Sequence, residues 1–336
     1  AGYMVGWGYW TYWVVVGIAE VTAVGIYMGI WFPEIPQWVW ALSSILLMGL
    51  INLIAVKVFG EFEFWFALIK VVAIIAMIAL GGSVILFGFT NDWQPMGLSN
   101  LWQHGGFFPN GIGGMLLSLQ MVLFAYVGIE MIGLSAGEAE NPRKTIPMAI
   151  DSLAWRILIF YMGAILVILA IFPWNEVGQQ GSPFVVMFER IGLREAAGLI
   201  NFVVITAALS SCNAGIFSGG RLLYALSVNG YAPASFAKLS RYGVPHRAVI
   251  ATVTVCMTGV VLNYFVPDKA FQYIMAAVTF VGLMVWIAIL ITQLKFRRSL
   301  SSSQVAQLAY RAPWWPYSSW FALVFIGLVV VLMGFH

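Results

Sequence analysis

Nine apolar stretches recur along the chain, each close to the length an α-helix needs to cross a lipid bilayer, with mostly short polar breaks between them. A soluble core helix rarely keeps about 20 consecutive apolar residues, whereas that length matches the roughly 30 Å of bilayer hydrocarbon. Hydrocarbon offers no hydrogen-bonding partner, so each stretch must close its backbone bonds within itself. The predicted fold class is therefore an all-α polytopic membrane protein. The approximate spans are 4–32, 36–56, 64–88, 112–136, 148–172, 196–226, 248–266, 272–294 and 317–335. Composition agrees: 62% of residues are hydrophobic, 9% are charged, and mean hydropathy is +0.92.

Aromatic residues gather at the ends of the stretches, as in Trp38, Trp40, Trp93, Trp102, Trp174, Trp314, Trp315 and Tyr317. Amphipathic rings favour the headgroup layer, so these read as anchors. Basic residues fall in alternate loops: Lys57; Arg143 and Lys144; Lys238, Arg241 and Arg247; then Lys295, Arg297, Arg298 and Arg311. The other loops hold only Arg190, Arg194 and Lys269. This asymmetry predicts that the basic loops are cytoplasmic, with residue 1 on the cytoplasmic side and His336 on the outer side. The chain begins with Ala and ends at Phe335-His336 directly after an apolar stretch, which reads as a fragment of a longer protein. No cleavable signal peptide is expected, because the opening lacks a basic segment and its apolar stretch is too long.

Several function classes are disfavoured. Cys212 and Cys256 lie inside spans with no spacing that would hold zinc, so neither a disulfide nor a metal is expected. The histidines His104, His246 and His336 lie in loops or at the end, which leaves no intramembrane base for a serine hydrolase. A P-loop is absent, and there is no pair of intramembrane aspartates for a paired-aspartate protease. The chain is expected not to be an enzyme and to need no cofactor. The net charge of +3 is accounted for by the basic loops and implies no nucleic acid. The expected surroundings are the lipid bilayer, with no obligate protein partner.

Four polar intrusions into apolar surroundings remain. A charge at bilayer depth costs roughly 2.5–3.5 kcal/mol unless it faces a partner or a cavity. Glu20 lies about two thirds of the way along the first span beside Thr22, Gly17, Ala19, Ala23 and Gly25; it is either a structural carboxylate between helices or a cavity-lining group. Lys70 lies ten residues, or roughly 15 Å, beyond Gly60. Burial makes the charged amine costly, so such a lysine can exchange a proton; the alternative is a permanent ion pair that fixes helix packing. Glu130 follows FAYVGI, where Gly128 and Gly133 weaken the helix. A helix broken there exposes amides and carbonyls to a small zwitterion, with the carboxylate ordering the gap; otherwise the glycines serve close packing. The sixth span is rich in Ser210, Ser211, Asn213, Ser218 and small residues and carries Arg221. Its polar face suits a substrate path or interhelical hydrogen bonds. Arg156, near a helix end, is expected to snorkel.

Three segments together, GEFEFWFALIK, FAYVGIE with GEAENPRKTIPMAI, and NAGIFSGGRLLYAL with NGYAP, resemble the amino-acid permeases of the amino acid–polyamine–organocation superfamily, and among them bacterial proline-type permeases. The resemblance implies a twelve-helix fold of two inverted five-helix repeats, with the first and sixth helices unwound at the substrate site. Residues 1–336 would form one transporter domain, helices three to eleven, without helices one, two and twelve, and this part alone is not expected to transport. Lys70 would stand on helix five where related symporters hold sodium, and would couple transport to protons together with Glu20. Ala125, Tyr126, Gly128 and Glu130 would form the substrate-binding break of helix six, with Tyr126 as a gate, while Asn213 and Ser218 would contribute from helix eight. The implied function is proton-driven import of a neutral amino acid by alternating access across the bacterial inner membrane, proline being favoured. Histidine, aromatic and small neutral amino acids are the alternatives. An ion channel lined by Glu20, Glu130 and Lys70, or a membrane sensor that binds without transporting, would use the same residues differently.

Overall fold

The computed structural model describes residues 2–54, 56–89, 93–126, 128–134, 141–177, 182–190 and 194–334. Ala1, Phe335 and His336, on which the reading as a fragment turned, lie outside them, as do residues 137–140, the GEAE of the family-like motif. The long apolar stretches fold as helices: α1 (Gly2–Met28), α2 (Gln37–Ile54), α3 (Val56–Phe87), α10 (Arg194–Val228), α11 (His246–Phe265) and α12 (Pro267–Ser299). A seventh apolar stretch, Pro142–Ile171, runs through α7 (Pro142–Arg156), a π-helical segment Ile157–Met162 and α8 (Gly163–Ile171). These supply seven helices long and apolar enough to cross a membrane. Two expected spans are shorter as helices: α5 (Gly111–Phe124) and α14 (Tyr317–Met333). Short helices α4 (Asn100–Gln103), α6 (Met131–Leu134), α9 (Pro183–Arg190) and α13 (Ser302–Ala306) lie between them. No strand occurs among the described residues.

Of the two readings left open for the glycines around Glu130, the broken helix is the one observed: α5 stops at Phe124 and regular winding resumes only at Met131. The proline-bounded stretch after Asn141 opens α7: Pro142 occupies the first turn, where its missing N–H costs nothing and its fixed φ favours the helix. Large apolar side chains remain open along the span helices, among them Leu50 at 57%, Val72 at 57% and Ile165 at 56% exposed. That is the surface expected of helices whose solvent is hydrocarbon.

The chain groups into two compact units, Ala1–Gly106 with Ala164–Val278, and Phe107–Gly163 with Thr279–His336. In the first unit α1 is buried against α10, α2 and α11. Small residues allow this approach: a Cβ on Gly215 of α10 would lie 3.2 Å from the Trp13 carbonyl oxygen of α1. A second cluster in this unit joins Met77 and Val84 of α3 to Val167, Ile171, Met187 and Phe188. In the second unit Leu283 of α12 packs with Ile326 and Val329 of α14, beside Leu119 and Leu123 of α5.

Replacing Gly215 with leucine should destabilise the protein by about 1–3 kcal/mol, because the added atoms meet backbone rather than a side chain that can yield. A thermal melt in mild detergent checks this against Gly327→Leu, where nothing lies within 4 Å of the position a Cβ would take. Equal shifts would show that helix approach at α1 and α10 does not depend on Gly215.

Candidate functional site

In the first unit, three helices bring polar groups to one place. Ser210 and Ser211 are consecutive on α10, and residues one apart on a helix project about 100° from each other. Ser210 Oγ accepts a hydrogen bond from Lys70 Nζ of α3 at 2.8 Å. Ser211 lies beside Glu20 of α1, near enough to act on its carboxyl group, and the Lys70 charge reaches Glu20 as well. Lys70 and Glu20 are both partly buried. Because α3 begins at Val56, Lys70 sits well inside its helix. It is six residues, roughly 9 Å, beyond the start of the apolar window at Phe64.

Asn213 and Ser218 lie further along α10 and are buried. The Asn213 side-chain oxygen accepts a 2.8 Å hydrogen bond from Asn52 of α2, whose Nδ2 also donates to the Met48 carbonyl at 2.9 Å. Asn213 thus ties α10 to α2. Asn263 of α11 works similarly, donating to Thr22 Oγ1 and to the Gly259 carbonyl, each at 2.7 Å. Both amides join neighbouring helices, while the Asn213 Nδ2 is buried without a hydrogen-bond partner among the described residues.

The second unit holds the interrupted helix. After Phe124 the backbone turns: Tyr126 N–H donates to the Leu123 carbonyl at 3.1 Å, and Ile129 N–H to the Tyr126 carbonyl at 3.3 Å. Gly128 has φ +99°, a left-handed conformation that a residue with a Cβ adopts only at a cost, although no neighbour would obstruct the Cβ itself. Glu130 closes the turn on itself, its Oε2 accepting from the Gly128 N–H at 3.1 Å. The same oxygen accepts from the indole N–H of Trp286 on α12 at 3.0 Å. Glu130 is partly buried, so a carboxylate and a turn amide satisfy each other where water is scarce. Tyr126 stacks on Tyr161 with ring centroids 5.2 Å apart and planes 28° apart, and Tyr161 belongs to the π-helical segment. Ala125 is exposed beside Tyr126.

The residues singled out from the sequence therefore fall into two groups, each internally connected: Glu20 and Lys70 around Ser210 and Ser211, and Ala125, Tyr126, Gly128 and Glu130 around the turn. Trp286 and Tyr161 complete the second group and carry no signal in the sequence. An indole in an apolar helix and a tyrosine in ILIFYM look like lipid or core contacts until the partner 156 or 35 residues away is placed.

The amino acid permease family matches residues 1–336. The chain belongs to the amino acid permease family. It is 53% identical over 335 residues to an uncharacterized amino acid permease, YtnA, of Bacillus subtilis (strain 168), covering 100% of this chain and 72% of that protein. It is 48% identical over 336 residues to the probable threonine/serine transporter YbxG of the same organism, again covering 100% of this chain and 72% of the relative. The amino-acid permease AapA of that strain is 43% identical over 334 residues, 99% of this chain and 72% of the relative. Permeases move substrates across membranes rather than transform them, which places this chain among transporters and not among enzymes.

For a permease, the order of the turn matters as much as its exposure. Trp286→Phe keeps the aromatic bulk and removes one donor to a charged acceptor, an interaction of about 1.5–3 kcal/mol. Amide exchange at Gly128 and its neighbours should accelerate about tenfold or more, while amides in α10 stay unchanged. Exchange at Gly128 that is unaltered would remove Trp286 from the support of the turn.

Proposed function

We propose that the protein imports a neutral amino acid across the bacterial inner membrane, coupled to protons, by alternating access around a site at the interrupted helix. Residues 1–336 then form a single transporter domain corresponding to helices three to eleven of a twelve-helix permease, with the basic loops in the cytoplasm. The observation that carries the proton-coupled reading is the Lys70 amine within hydrogen-bond reach of Ser210 on a helix whose next residue serves Glu20. A cation, a carboxylate and two hydroxyls on three helices form a set in which one added or removed proton changes how the helices attract each other. Lys70 takes up a proton on Nζ in one state and releases it in the other, and its protonation biases the equilibrium between them.

The turn at 125–130 receives the substrate. Main-chain groups of Ala125, Tyr126 and Gly128 meet the ammonium and carboxylate ends, and Glu130 keeps the turn in shape. Tyr126, stacked on Tyr161, closes the site. Asn213 and Ser218 hold α10 in place as it lines the path. The side chains at the turn, Glu130 apart, are uncharged, which supports a neutral substrate. Proline follows from the family likeness of the motifs, and the probable threonine/serine transporter among the relatives adds threonine and serine to the first candidates.

The test is uptake of labelled proline, threonine and serine by the full-length protein in liposomes, with and without an inward proton gradient. Saturable, gradient-driven uptake of at least one of them is expected. Lys70→Ala should lower gradient-driven accumulation by about 5- to 150-fold, the usual range of coupling between two sites, while substrate counterflow persists. Uptake that is indifferent to the gradient in the unaltered protein sinks proton coupling. Binding without counterflow sinks transport and leaves a sensor.

A further inference from the structure

Between α12 and α14 lies a groove of about 450 Å³, lined by Ile291, Leu294, Lys295, Arg298, Trp320, Leu323 and Val324. Its size falls within the roughly 300–1,000 Å³ of small-molecule sites. The lining follows helix geometry. Ile291, Leu294, Lys295 and Arg298 are spaced i, i+3, i+4 and i+7 on α12, and Trp320, Leu323 and Val324 are spaced i, i+3 and i+4 on α14, so each set forms one stripe. The two helices are fixed against each other by the Leu283, Ile326 and Val329 cluster and by Ser319 Oγ donating to Gln293 Oε1 at 3.1 Å.

The groove is chemically two-ended. Its body is aliphatic and aromatic and open to the surroundings, with Trp320 at 49% and Val324 at 70% exposed. Its end carries two exposed cations, Lys295 and Arg298, in the last turns of the span Tyr273–Ser299. Neighbouring cations are occupied elsewhere: Arg297 lies over the Trp315 ring at 5.6 Å, and Arg311 donates to the Ala306 carbonyl at 3.4 Å. Among the described residues no carboxylate pairs with Lys295 or Arg298.

We propose that this groove binds one anionic phospholipid. Its phosphate sits between the Lys295 ammonium and the Arg298 guanidinium, and one acyl chain lies along Ile291, Leu294, Leu323 and Val324 against Trp320. Charge complementarity selects the anion, and the apolar body at membrane depth selects a lipid over a water-soluble phosphate. A zwitterionic lipid offers the same chain but carries an ammonium that two cations repel. Because α12 also supplies Trp286 to Glu130, the lipid stands on the helix that supports the candidate site, yet its binding is independent of the transport reading.

Native mass spectrometry of the full-length protein in mild detergent tests the proposal, with phosphatidylglycerol and phosphatidylcholine of identical chains in competition. One phosphatidylglycerol should be retained over phosphatidylcholine by roughly thirtyfold, the factor two charges contribute near an anionic surface. Lys295→Gln with Arg298→Gln should abolish the preference, while Lys238→Gln with Arg241→Gln in another basic loop should leave it intact. Val324→Trp, which fills the groove without touching charge, should also release the lipid, and serves should the charge variant not fold. Displacement by millimolar glycerol phosphate would mean a soluble-anion site and overturn the proposal. Equal retention of both lipids, or an equal loss in the other-loop variant, would overturn it too.

Discussion

Every backbone amide at membrane depth must find a partner inside the protein, and the interrupted helix shows what that demands. Ending α5 at Phe124 frees groups that a continuous helix would have used. Some are recovered by tight turns at Tyr126 and Ile129, and one by the Glu130 carboxylate accepting from Gly128. The left-handed Gly128 makes the reversal possible, and Glu130 makes it tolerable in a medium where an unpaired N–H costs several kcal/mol. The two features require each other: without the glycine the amide does not face the carboxylate, and without the carboxylate the turn leaves a donor unpaired. Trp286 then fixes the carboxylate from a helix distant in sequence.

The same constraint explains why polar side chains in the first unit come in sets. Asn52 with Asn213, and Thr22 with Asn263, each close a bond between helices and also return a hydrogen bond to their own helix or receive one from it. Such pairs lock packing without charge. Lys70 and Glu20 differ because their hydrogen-bonding neighbours are hydroxyls, which can donate or accept as the protonation of their partner changes.

How much was legible in the sequence follows from which information is local. Apart from 112–136, which is interrupted, the long apolar stretches became helices at the expected places with ends shifted by up to eight residues, because length and composition locate them without reference to anything else. The weakness at Gly128 was legible for the same reason, since a glycine beside a carboxylate is a local signal. The π-helical segment ILIFYM was not, because nothing in those residues opposes an ordinary helix; the irregularity belongs to how that stretch packs. Trp286 was hidden among apolar neighbours, and its role depends on a partner 156 residues away. Glu20 and Lys70 were recognisable as costly groups, but neither announced that consecutive serines would serve them.

That arrangement of consecutive serines carries a mechanical implication. Side chains at positions i and i+1 diverge by about 100°, so Ser210 and Ser211 cannot both face one helix. With Ser210 turned to α3 and Ser211 turned to α1, α10 stands between the two as a common contact. A rotation of α10 that tightens one contact loosens the other, whereas a movement of α3 or α1 alone disturbs only its own. The small residues that bring α10 to α1, with Gly215 close to the Trp13 carbonyl, make the α1 side the stiffer contact. The α3 side, held through one long lysine chain, is the softer one. The Lys70 contact is therefore the one that can give, and α3 is less tightly tied to α10 than α1 is.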